Sequence, residues 1–79
     1  MNVLVYKSSL REYLYIYVPE SEGLSRVPSG LLAQFGEASV VMRLSLESGQ
    51  QLAKVSGDEV IEAVTEKGYF LQMPPIESI

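Results

Sequence analysis

The side chains in this sequence best suited to recognition are its tyrosines. Tyr13, Tyr15 and Tyr17 alternate with Leu14, Ile16 and Val18, so a strand there places three tyrosines on one face. If a neighbouring strand sets Val5 against Ile16 and Val3 against Val18, Tyr6 joins the stripe beside Tyr15. Arg43 and Gln72 reach the same side in this arrangement. An open aromatic sheet face can stack bases or anchor a protein partner. The plainer role of such tyrosines is to cover a half-exposed face, ring buried and hydroxyl wet. Lys7, Arg11 and Arg26 fall in or beside loops near the strand ends. There they can meet an anion, or form surface ion pairs worth about 0–1 kcal/mol each. The candidate binding residues are therefore Tyr6, Lys7, Tyr15, Tyr17, Arg26, Arg43 and Gln72.

Catalytic chemistry finds little support. The chain has neither Cys nor His, which removes the thiol nucleophile, the commonest general base and the commonest metal ligands. Ser8, Ser9, Ser25 and Ser56 have no imidazole to activate them, and Ser8 beside Lys7 is too common a pairing to mark a site. No glycine pattern matches a phosphate-binding loop. Asp58, Glu59, Glu62 and Glu66 share one helical stretch, but chelation needs converging oxygens and a straight helix splays them. Asp58 and Glu59 are better explained by the positive end of the helix dipole. The expectation is no catalytic residue, no metal and no cofactor. The net charge of −4 opposes non-specific binding to nucleic acid or anionic lipid. A protein partner, or a second copy of the chain, is thus favoured over RNA, and no membrane contact is expected.

The elements that must position these residues follow from pattern. Val3 to Tyr6 is a β-prone run and Tyr13 to Val18 a second, stopped by Pro19. Pro28 opens a short helix through Leu31, Leu32 and Phe35, which Gly36 closes, although Gly30 inside it is a poor helix former. Ser39 to Leu46 is a third strand, and Gln51 to Val55 is either a short strand or irregular. Ser56 caps a second helix with Glu59 at capping-box spacing; Val60, Ile61 and Val64 share a face, and Lys67 and Gly68 suit its end. Tyr69 to Met73 is a last strand, with Leu71 towards the core and Gln72 on the tyrosine side, before Pro74 and Pro75 stop it.

The order is β-β-α-β-(β)-α-β. The chain of 79 residues is long enough for one domain, taken as 1–75, with 76–79 an extended tail. The simplest packing is a two-layer α+β domain, a mixed sheet with both helices on one face. Its core would be Leu14, Ile16, Val18, Leu32, Phe35, Met42, Leu44, Val60, Val64 and Leu71. No apolar run approaches the roughly 20 residues of a membrane span, and no signal-peptide layout is seen at the N-terminus, so the cytoplasm is the expected compartment.

Several segments are similar to the YcgL domain family of small bacterial proteins. They are Val5-Tyr6-Lys7-Ser8, Tyr13 to Val18, Arg26-Val27-Pro28, Leu31-Leu32, Phe35-Gly36, Leu52-Ala53 and the closing Gly68 to Pro75 run. The resemblance implies a compact α+β domain in a bacterial cytoplasm and no established activity, cofactor or catalytic set. Leu24 stands where the family usually has an aromatic, and Val3 where a Cys is common; both remain apolar. The functional expectation is a small non-enzymatic interaction domain contacting a protein or itself. The alternative is an RNA- or nucleotide-binding accessory module using the aromatic face.

Overall fold

Strand β1 (Asn2–Ser8) is apolar on both of its sides, Val3 and Val5 on one, Leu4 and Tyr6 on the other. It turns into β2 (Tyr15–Pro19), whose alternate residues are again apolar or aromatic on both sides. A sheet centred on two such strands needs a helix on each face. The computed structural model, which describes residues 1–52 and 55–74, has this arrangement. The remaining elements are α1 (Ser29–Phe35), β3 (Ala38–Ser45), α2 (Gly57–Lys67) and β4 (Phe70–Gln72).

The sheet order is β3-β1-β2-β4, and every neighbouring pair is antiparallel. The α+β class is as the sequence indicates, but the expected mixed sheet is not formed. β2 and β3 run parallel to one another with β1 between them, so they never pair.

The expected placement of both helices on one face is also corrected. Helix α2 packs Val60 and Val64 against Val3, Val5, Tyr17 and Leu46. Helix α1 packs Phe35 against Leu14, Ile16, Val18 and Val27 on the other side. Since Ile16 and Tyr17 are adjacent on β2, their side chains point to opposite faces. The single core is therefore two layers. Met42, expected inside, is 51% exposed, whereas Val3, Val5, Val27 and Leu46 are buried. Val3 and Leu24, the two departures from the family pattern, lie in the α2 and α1 layers respectively.

The hairpin register differs from the expected one by a single residue. Val5 lies opposite Tyr17 and Tyr6 opposite Ile16, so Tyr6 is turned away from Tyr15 and Tyr17. The cause is the connection, which runs from Ser9 to Leu14 and includes Tyr13 at a φ of 63°. It closes with Ser8 N–H donating to the Leu14 carbonyl at 3.0 Å. A slip of one residue exchanges the two faces of a strand.

The caps follow the sequence closely. Ser56 Oγ accepts the Glu59 N–H at 3.2 Å, which forms the serine half of the capping box. Gly68 takes the left-handed conformation, φ 91°, and donates its N–H to the Val64 carbonyl. Ser56→Ala should cost about 1 kcal/mol, read as a lowered urea midpoint with an unchanged slope. The Gln51 to Val55 stretch makes one isolated bridge, Gln51 to Ser56, and 53–54 lie outside the described residues. The expected 76–79 tail lies outside them as well.

Candidate functional site

Helix α2 covers only part of its face. Beyond it, Val5 and Lys7 of β1, Tyr15 and Tyr17 of β2, Gln72 of β4, and Val41 and Met42 of β3 line an open groove of about 430 Å3. No α2 residue contributes to the lining. Strand pairing sets the geometry: Lys7 lies opposite Tyr15, Tyr15 opposite Gln72, and Val5 opposite both Tyr17 and Met42. Four strands thus meet at one uncovered end of the sheet.

Val41 reaches the groove through an irregularity. The β1–β3 register shifts between Val5 and Tyr6, leaving Val41 as an extra residue on β3. Such a bulge re-aims a side chain. Val41 is 47% exposed and lines the same groove as Met42, its immediate neighbour. In regular alternation the two would face opposite ways.

Tyr17 is the fixed point of the groove. Its ring is buried, with its centroid 5.8 Å from that of Phe70 in an edge-on contact at 74°. Its hydroxyl donates to Gln72 Oε1 at 2.8 Å. The expected placement of Gln72 on a tyrosine's side, with Leu71 turned to the opposite layer, is what the strand shows. Burial raises the Tyr17 pKa above 10.0, and the neighbouring Tyr15 adds to the effect. A raised folded-state pKa means that the neutral phenol is favoured by folding. This contribution is complete below pH 10.0 and is lost as pH rises through the folded value. Tyr17→Phe should therefore cost about 1 kcal/mol at neutral pH and weaken the alkaline fall in stability, measured as urea unfolding across an alkaline pH series.

Of the seven residues singled out in the sequence, Lys7, Tyr15, Tyr17 and Gln72 meet in the groove. The other three lie elsewhere. Tyr6 packs against the α1 layer. Arg43 lies opposite Leu4, on the side away from the groove, and its Nη2 donates to Glu20 Oε1 at 3.0 Å. Arg26 closes the end of α2: its Nη2 donates to the Glu66 carbonyl at 3.3 Å, a favourable position for a cation. Glu22 stands 3.9 Å from Arg26 Nη1. The Arg26 stem lies so close to Gly68 that a Cβ there would come within 2.6 Å of it. Val5, Val41 and Met42 are groove residues that the sequence reading did not select. The apolar run Val40-Val41-Met42, which breaks alternation, was the available signal for a bulge.

The YcgL domain family model matches residues 3–75. The chain belongs to the YcgL domain family. A YcgL domain-containing protein of Hydrogenovibrio crunogenus is 43% identical over 75 residues, covering 95% of this chain and 77% of that protein. One from Serratia proteamaculans is also 43% identical over 75 residues, covering 95% and 83%. One from Saccharophagus degradans is 41% identical over 75 residues, covering 95% and 82%. These names state a domain and no activity, so any functional reading of this YcgL domain rests on its residues. Among the described residues, no helix is long and apolar enough to cross a membrane.

Proposed function

We propose that this YcgL domain is a non-enzymatic interaction module of the bacterial cytoplasm that receives a protein partner in the groove beyond α2. The observation that carries this reading is the composition of the groove. Val41 and Met42 supply exposed apolar surface, Tyr15 supplies a ring on a rigid sheet, Val5 and Tyr17 form the buried floor, and Lys7 is the one charged residue in the lining. Rigid aromatic anchors beside apolar surface are typical of protein contact sites. The lining includes no carboxylate to pair with Lys7 in acid–base work. A partner segment that is apolar and carries one carboxylate fits this surface.

The alternative is an RNA- or nucleotide-binding accessory module on the same tyrosines. It has less to work with, because the Tyr17 ring is already engaged by Phe70 and Tyr6 faces the other layer. The two readings separate by salt response. Phosphate contacts weaken steeply between about 50 and 200 mM salt, whereas apolar contacts do not.

The test is a photo-crosslinking side chain introduced at Tyr15 in bacterial cells. The expected result is one discrete protein adduct that survives nuclease and moderate salt and disappears in Met42→Lys. A nuclease-sensitive adduct would transfer the site to the alternative. No adduct in a folded protein would remove the groove from consideration.

A further inference from the structure

The connection between β1 and β2 displays a strained and exposed aromatic residue. Tyr13 has a φ of 63°, a left-handed conformation that is costly for a bulky side chain. Burial of the ring does not offset the strain, since Tyr13 is 62% exposed. Glycine or asparagine would close the same turn with less strain. Strain of this kind, unsupported by packing, points to a ligand.

Tyr13 lines an open cavity of about 370 Å3 together with Lys7, Arg11, Glu12 and Tyr15. Lys7 and Arg11 are both exposed. Among the described residues the ion pairs are Arg26 with Glu22 and Arg43 with Glu20, so neither Lys7 nor Arg11 is engaged. Glu12 is the one carboxylate in the lining. The cavity is thus locally positive in a protein of net charge −4. Lys7 and Tyr15 also line the groove beyond α2, so the two spaces form one trough.

We propose that this trough binds an extended peptide of a partner protein, with an apolar residue on Val41 and Met42 and nearby carboxylates on Lys7 and Arg11. Tyr13 packs over the acidic part. The inference rests on the groove reading and adds the site at the connection, which lies outside the groove. Continuity with the apolar groove favours a peptide over a free nucleotide. Glu12 and the net charge oppose a phosphate ligand. Exposed ionic contacts are individually weak, so the charges select the partner more than they hold it.

The experiment is selection of phage-displayed random peptides on the purified protein. The expected result is enrichment of sequences with Asp or Glu close to an apolar residue. Lys7→Glu combined with Arg11→Glu should turn that enrichment towards Lys and Arg. If the reversed protein does not fold, Lys7→Gln with Arg11→Gln takes its place and must lose the acidic preference. Tyr13→Asn should weaken a selected peptide about tenfold while melting no lower than the unmodified protein, because asparagine tolerates the left-handed conformation. Unchanged affinity in Tyr13→Asn, or enrichment indifferent to both charge variants, overturns the inference. If indifferent enrichment still disappears in Met42→Lys, the groove reading stands and only the acidic site falls. If the unmodified protein enriches no peptide, both fall. Displacement of a selected peptide by an equal concentration of adenosine monophosphate would give the site to a nucleotide and overturn the inference as well.

Discussion

Phe35→Ala should lower unfolding stability by about 3–5 kcal/mol. Phe35 is the largest fully buried side chain among the described residues, in a cluster with Leu14, Ile16, Val18 and Val27. α1 has only seven residues and no side-chain cap, so it lacks the length to hold itself. It stays on the sheet because Phe35 is buried there and its neighbours Leu31 and Leu32 are partly buried. A domain of this size has stability near the lower end of ~5–15 kcal/mol, so the loss approaches the whole. Thermal and urea melts followed by circular dichroism would measure it. A melting temperature like that of the unmodified protein would show that α1 contributes nothing to the core.

Gly36→Ala is the second large effect, about 2–4 kcal/mol. Gly36 has φ 79° and ψ −153°, a region that essentially only glycine occupies. The space is closed as well: a Cβ would stand 2.5 Å from Ser9 Oγ and 2.6 Å from Leu10 Cγ. Leu10 is 65% exposed and can swing aside, but Ser9 Oγ accepts the Glu37 N–H at 2.8 Å and would lose that bond on moving. The hairpin connection is tied to the end of α1 at this point. Ser8 Oγ donates to the Phe35 carbonyl and accepts the Leu10 and Arg11 N–H groups, each at 3.1 Å. The same melts apply, and a loss below about 1 kcal/mol, the size of one ordinary hydrogen bond, would show that the backbone relaxes freely there.

Local features of this fold were legible in the sequence, and faces were not. The Ser56 cap, the Gly36 and Gly68 stops and the strands around Val5, Ile16 and Leu71 depend on a few consecutive residues, and each appears where the pattern places it. The layering depends on which apolar set of a two-sided strand meets which helix, and periodicity alone cannot decide that when both sets are apolar. The tyrosine stripe shows the consequence. Tyr15, Tyr17 and Gln72 were grouped correctly because they share strand alternation and a short cross-strand bond. Tyr6 was misplaced because its side depends on a six-residue connection whose register the sequence does not encode plainly. Met42 lies on the α2 face opposite Val5, as alternation indicates, but α2 does not reach over it, and a period of two does not show how far a helix extends.

The two-layer arrangement also fixes an order of assembly during synthesis. The β1–β2 hairpin is local, and every buried residue of the Phe35 layer has been made once Ser45 has left the ribosome, with Tyr69 and Leu71 added to it later. The opposite layer needs Val60 and Val64 of α2, and β4 runs to Gln72. Translation at roughly 5–20 residues per second separates these points by roughly one to five seconds. Throughout that interval the nascent chain has one side whose buried residues are all present and one bare side, on which Val3, Val5 and Tyr17 lie open. A chaperone that recognises apolar strands would find its substrate there, on the face that later carries the groove.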